Sequence, residues 1–166
     1  MSLKKKPVTP EQACLRLAGL CSRSEQCEAD LLRKLVNMGL NRAQQREVMN
    51  YLKEERYVDN LRYAKSFASD KARFSGWGPY KIKGALTIKR IPEKYVKEAL
   101  ETIPADIWQE SLMRCAAAKV KTLSPEGLDD RENRVKLYRY LLSRGFSSAQ
   151  SVKAVQTMRR QQREDS

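Results

Sequence analysis

The chain contains no histidine, and this removes the Ser–His and Cys–His pairings through which most nucleophilic catalysis moves its proton. Its four cysteines offer no metal site in exchange. Cys14, Cys21 and Cys27 are separated by six and five residues and Cys115 stands far away, so no pair has the short spacing of a zinc knuckle. They read as buried, reduced thiols. Acids sit mostly singly among bases; the pair Asp129–Asp130 falls where a helix should open, and capping accounts for it more simply than metal binding. No glycine-rich loop ends in Gly-Lys-Ser/Thr after a strand, so a phosphate loop of that kind is absent. No catalytic residue, metal ligand or cofactor is therefore expected.

What remains is cationic chemistry. Lys and Arg number 33 against 20 Asp and Glu, a net charge of +13. Between Lys71 and Lys97 the bases Lys71, Arg73, Lys81, Lys83, Lys89, Arg90, Lys94 and Lys97 face one acid, Glu93, for a local +7. Charge concentrated in this way suits a polyanion: nucleic acid, an acidic protein surface or anionic lipid. Inside the segment lies "RFSGWGPYKIKGAL" (Arg73–Leu86), a tryptophan between two glycines, then proline and alternating lysines. Trp77 reads either as a plug over a helix corner or as an exposed ring for stacking on a base or meeting a partner.

The elements that must position these groups repeat. From Leu35, apolar residues stand at −4, +5, +13, +14 and +17: Leu31, Leu40, Val48, Met49 and Leu52. From Leu86 the same offsets give Ile82, Ile91, Ala99, Leu100 and Ile103, and from Leu141 they give Leu137, Phe146, Ala154, Val155 and Met158. The first offsets describe a helix and the residue past its end; the last three are one face of a second helix. A left-handed cap glycine is expected at +4, at Gly39 and Gly145. In the middle copy Arg90 stands there and Pro92, two residues on, blocks continuation of the helix. Each pair is preceded by an amphipathic segment, near 10–22, 60–74 and 106–122. The second shows an apolar stripe of Tyr63, Phe67 and Phe74.

The expected fold is therefore all-α, three tandem three-helix units forming an elongated, curved repeat array. The divisions are a flexible tail 1–9, units at 10–56, 57–104 and 105–160, and a flexible tail 161–166. Gly76 should end the first helix of the second unit and Pro79 should open its second. No apolar run approaches the roughly 20 residues of a membrane span and the start lacks a secretory core. A cytoplasmic monomer without membrane contact is expected.

"ERYVDNLRYAKSFASDKARFSGWGPYKIKGALTIKRIPEKYVKEAL" (Glu55–Leu100) resembles the central block of the RecX family of RecA regulators. The resemblance rests on Arg62-Tyr63-Ala64 and Phe67, on the Gly-x-Gly-Pro hinge of Gly76, Gly78 and Pro79, and on Lys81-Ile82-Lys83 followed by Leu86. Arg90 departs from it, where the family commonly has glycine. The resemblance implies a non-enzymatic regulator that lies in the groove of the RecA–DNA filament. There it would impede extension and lower ATP hydrolysis, strand exchange and co-protease activity, so modulating recombination and DNA repair. The implied partners are the RecA filament and the single- or double-stranded DNA within it, with weak direct DNA binding besides. The residues assigned to the working surface are Arg62, Lys71, Arg73, Lys81, Lys83, Lys89 and Arg90, with Trp77 at its edge. A stand-alone helical DNA- or RNA-binding protein is the alternative.

Overall fold

The computed structural model describes residues 6–166, and among these it contains nine α-helices, one 3-10 turn and no strand. Helices α1 (Pro10–Arg23), α2 (Glu28–Asn37) and α3 (Arg42–Glu54) form the first unit. The second comprises α4 (Asn60–Phe74), α5 (Pro79–Ile88) and α6 (Glu93–Glu101). The third comprises α7 (Ala105–Val120), α8 (Arg131–Ser143) and α9 (Ser148–Glu164), with the 3-10 turn at Gly127–Asp129.

Local chemistry sets the ends. Thr9, Asn41 and Ser147 form capping boxes with Gln12, Gln44 and Gln150, and Asp59 and Asp130 each accept the N3 backbone N–H of the following helix. Asp130 thus has the capping role expected of the acidic pair. Asp129 instead accepts from Arg163 Nη2 at 2.7 Å. At their C-termini α2, α5 and α8 close in one way. Gly39, Arg90 and Gly145 are left-handed at φ 82°, 58° and 94°. The next residue (Leu40, Ile91, Phe146) donates its N–H back to Leu35, Leu86 and Leu141 respectively. Arg90 therefore makes the glycine corner with an L side chain in a region where that costs about 1 kcal/mol. Pro92 lies just outside α6, at its N-cap.

The periodic apolar positions are the core. All are buried except Leu100 and Met158, which are half-buried, and each fully buried Leu or Ile contributes on the order of 2 kcal/mol. They form three clusters, one per unit, each closed by its first helix. On α4 the closing face differs from expectation: Ala64, Ala68 and Ala72 are the buried stripe, Tyr63 and Phe67 are half-buried, and Phe74 is exposed. Small side chains let α4 lie close against α6, which leaves no room for the aromatics between them. The expected C-terminal tail is also corrected. Helix α9 continues through Glu164 because Gln162 accepts from the Leu128 N–H at 2.8 Å and Arg163 holds Asp129. At the other end residues 1–5 of the expected tail lie outside the described residues, while Thr9 is fixed as the cap of α1.

The accessible surface is 11004 Å², against about 8,400 Å² for a compact monomer of this mass. The excess belongs to an elongated array of three small cores, each unit leaning on its neighbour.

Candidate functional site

The hinge between α4 and α5 is where Lys71, Trp77 and Lys81 converge, and its geometry answers what the glycines do. Helix α4 stops at Ser75, Gly76 turns left-handed at φ 64°, and Pro79 opens α5. The third unit docks into this turn. The Gly78 N–H donates to the Arg144 carbonyl at 2.7 Å and the Tyr80 N–H to the Gly145 carbonyl at 3.0 Å. A Cβ on Gly78 would lie 2.4 Å from the Gly145 carbonyl group, and one on Gly145 would lie 2.4 Å from the Lys81 nitrogen. Backbone meets backbone, which only glycine permits at that separation. The Arg144 guanidinium donates to the Ser75 and Gly76 carbonyls, and the buried Cys115 thiol to Gly76 at 3.2 Å. Arg114 caps α4 from α7 by donating to the Arg73 carbonyl.

Trp77 is half-buried over this joint. Phe67 meets its ring edge-on at 6.1 Å, and the ammonium groups of Lys71 and Lys81 stand 4.7 and 4.6 Å from its centroid. Two like charges held on one indole lose part of their mutual repulsion to the ring's quadrupole. Neither lysine has a carboxylate within salt-bridge distance among the described residues. Lys71, Trp77 and Lys81 are thus a preorganised cationic platform, with the ring serving as the plug that fixes it.

The remaining predicted residues separate from that platform. Arg62 belongs to the joint between the first two units: its Nε donates to Glu25 at 2.6 Å and its Nη2 to the Arg56 and Tyr57 carbonyls. Lys89 is likewise an internal partner, donating to both oxygens of Asp30 at 3.0 and 2.7 Å across the same joint. Burial works to raise the Asp30 pKa, but hydrogen bonds from Lys89 and Cys27 and the charges of Lys89 and Arg33 outweigh it and hold the carboxyl below its ordinary value. Beside this pair, burial pushes the Tyr63 hydroxyl up to about 12, helped by Cys27 and Asp30. Arg62 and Lys89 leave the free strip because their charge is engaged in holding units together. Lys83 is exposed and stands a loose 3.8 Å from Glu93. Arg73 and Arg90 are exposed, Arg73 on the last turn of α4 and Arg90 at the α5 corner. Sequence reasoning missed Arg144 and Asp30. The signal for Arg144 was its place three residues after Leu141, matching Lys89 three after Leu86.

The four cysteines are free thiols, Cys27 and Cys115 buried and Cys14 and Cys21 half-buried, with burial the main cause raising the pKa of Cys14, Cys21 and Cys27.

Two profiles of known domains match this chain: "RecX, second three-helix domain" over residues 59–100 and "RecX, third three-helix domain" over residues 106–155. The Regulatory protein RecX of Vibrio parahaemolyticus serotype O3:K6 (strain RIMD 2210633) is 31% identical over 128 residues, covering 77% of this chain and 79% of that one. The chain belongs to the RecX family. The RecX hinge at Gly76–Pro79 lies in one matched domain and the Arg144–Gly145 corner that fills it lies in the other, so the joint is made between them. The Regulatory protein RecX of Clostridium botulinum (strain Eklund 17B / Type B) is 29% identical over 124 residues, covering 75% of this chain and 58% of its own. The fold agrees with a crystal structure of regulatory protein RecX at a TM-score of 0.75, with 22% identity and 85% and 68% of the two chains covered. It agrees with the crystal structure of RecX from Lactobacillus salivarius at 0.73, with 20% identity and 89% and 95% covered. Among the described residues no helix is long and apolar enough to cross a membrane.

Proposed function

We propose that this RecX protein is a non-enzymatic regulator of a RecA recombinase, binding as a monomer along the RecA–DNA filament and impeding its extension, ATP hydrolysis, strand exchange and co-protease activity. Family membership supports the choice of partner. The observation in this chain that supports the mode of action is the Lys71–Trp77–Lys81 platform set on an elongated array. Several weak contacts spaced along one body reinforce one another on a polymer, because the first converts the rest to intramolecular events. The platform supplies two uncompensated cations to phosphates or acidic protein surface.

The test is RecA ATP hydrolysis on single-stranded DNA with the purified chain titrated in. Substoichiometric to stoichiometric protein should lower the rate, and K71E/K81E should weaken that inhibition at least several-fold while the far-UV spectrum stays helical. An unchanged rate with the wild-type chain at moderate salt would remove the reading. Equal inhibition by the double variant would move the working surface elsewhere.

A further inference from the structure

Between the last turn of α4 and the face of α7 lies a cavity of about 300 Å³ lined by Ala72, Arg73, Phe74, Ile107, Ser111 and Arg114, with Glu110 beside them. Three features meet there. Phe74 is 81% exposed at its rim, although its place in the α4 stripe would have a phenylalanine inside. Two guanidinium groups are held at the same rim, Arg73 through its Nε to Ser69 at 3.2 Å and Arg114 through the Arg73 carbonyl. Ser111 packs beneath the cavity, only 1% exposed, with its hydroxyl enclosed by the surrounding side chains.

We infer that this cavity receives an unstacked base of single-stranded nucleic acid, stacked on Phe74, with its phosphate met by Arg73 and Arg114. An aromatic face flanked by arginines matches what a nucleotide presents: a π-surface and a negative charge. Duplex DNA hides its base faces and would reach only the guanidiniums. Glu110, a loose 3.8 Å from Arg114, would be displaced from that ion pair by the phosphate. The site is separate from the lysine platform and needs no recombinase.

Fluorescence anisotropy of a labelled oligothymidylate and of a duplex of equal length, each titrated with the full chain alone, tests it. The single strand should bind more tightly than the duplex. F74A should weaken single-strand binding on the order of ten-fold with duplex binding changed by less than about two-fold, and F74W should retain the wild-type value. Because Phe74 is exposed, the thermal midpoint of F74A should match wild type. Equal losses on both DNAs, no loss on either, or a preference for duplex would overturn the proposal. So would a loss by F74A of inhibition in the RecA assay without a loss of oligonucleotide binding, which would assign the cavity to a protein side chain. Failure on any of these counts leaves the filament-regulator reading standing, since that is measured by wild-type inhibition of RecA.

Discussion

Replacing Gly78 by alanine should loosen the joint between the second and third units and leave each helix intact. Gly78 has φ −82° and ψ 170°, which alanine adopts freely, so torsional strain plays no part. The cost is steric. The added Cβ would stand 2.4 Å from the Gly145 carbonyl carbon and oxygen, where ordinary contact begins at 3.4 Å. The corner must therefore withdraw by about 1 Å, and that would take the 2.7 and 3.0 Å hydrogen bonds from Gly78 and Tyr80 beyond bonding range. Overpacking costs about 1–3 kcal/mol and each lost bond about 0.5–1.5 kcal/mol. The smaller entropy of the unfolded chain returns about 0.4–1 kcal/mol. The expected net loss is roughly 1–6 kcal/mol, centred near 3. Gly84, further along in the middle of α5, provides the control: nothing lies within 4 Å of its added Cβ, so Gly84→Ala should stabilise by about 0.5–1 kcal/mol through helix propensity. Urea unfolding followed by tryptophan fluorescence reads the second unit, because Trp77 and Trp108 both pack against its core; far-UV circular dichroism reads the whole chain. In G78A the backbone amides of Tyr80 and of the substituted position itself, which donate across the joint, should exchange faster with solvent. A G78A stability within about 0.5 kcal/mol of wild type, with unchanged exchange, would refute the backbone interlock.

Arg90→Gly should raise stability by about 1 kcal/mol, since it relieves a left-handed L residue at a corner already closed by its hydrogen bonds; a thermal midpoint unchanged or lower would contradict this. Lys89→Ala should cost about 1–3 kcal/mol by leaving the mostly buried Asp30 carboxylate without its main partner. It should also flatten the acid dependence. Because the folded Asp30 pKa is depressed, its contribution is fully present above the unfolded value near about 3.9 and is lost as pH falls through the lower folded value. The difference in midpoint between wild type and K89A should therefore shrink below about pH 4, and a constant difference would show that the pair carries no such linkage.

The fold was legible because its signal is redundant. Five apolar offsets recur in three copies, and each copy must bury them on the same two-helix face, so no single misread position could change the architecture. The site was legible only in part, because charge along a chain does not reveal which cation already has a partner. Arg62 and Lys89 look like Lys71 and Lys81 in sequence, yet the first two face Glu25 and Asp30, contributed by a different unit. Only the packing of one unit on the next distinguishes them. Phe74 misleads for a related reason: its heptad-like spacing from Phe67 suits an ordinary helix face, but the alanines at 64, 68 and 72 draw α4 closer to its neighbour and turn Phe74 outward. Sequence alone explains the hinge glycines by a corner within the second unit, whereas the demand for Gly78 comes from Gly145, more than sixty residues away.

The two joints share one origin in the repeat. Three residues after Leu35, Leu86 and Leu141 stand Met38, Lys89 and Arg144, the C-cap residues of α2, α5 and α8. In the second and third units this residue is basic and reaches back to the unit before it: Lys89 to the Asp30 carboxylate, Arg144 to the Ser75 and Gly76 carbonyls. In the first unit the cap is an apolar methionine packed on its own core. The same logic explains the residue after the cap. Gly145 is pressed against the backbone of Lys81, so it must be glycine for space as well as for torsion. The α5 corner meets the first unit through the long side chain of Lys89 rather than through the backbone, which leaves room for a Cβ at Arg90, with only the torsional cost remaining. The first joint thus carries ion pairs open to screening by salt, while the second is held by hydrogen bonds to neutral backbone carbonyls. Raising the salt concentration should therefore weaken the Asp30–Lys89 joint more than the one between Gly78 and Gly145.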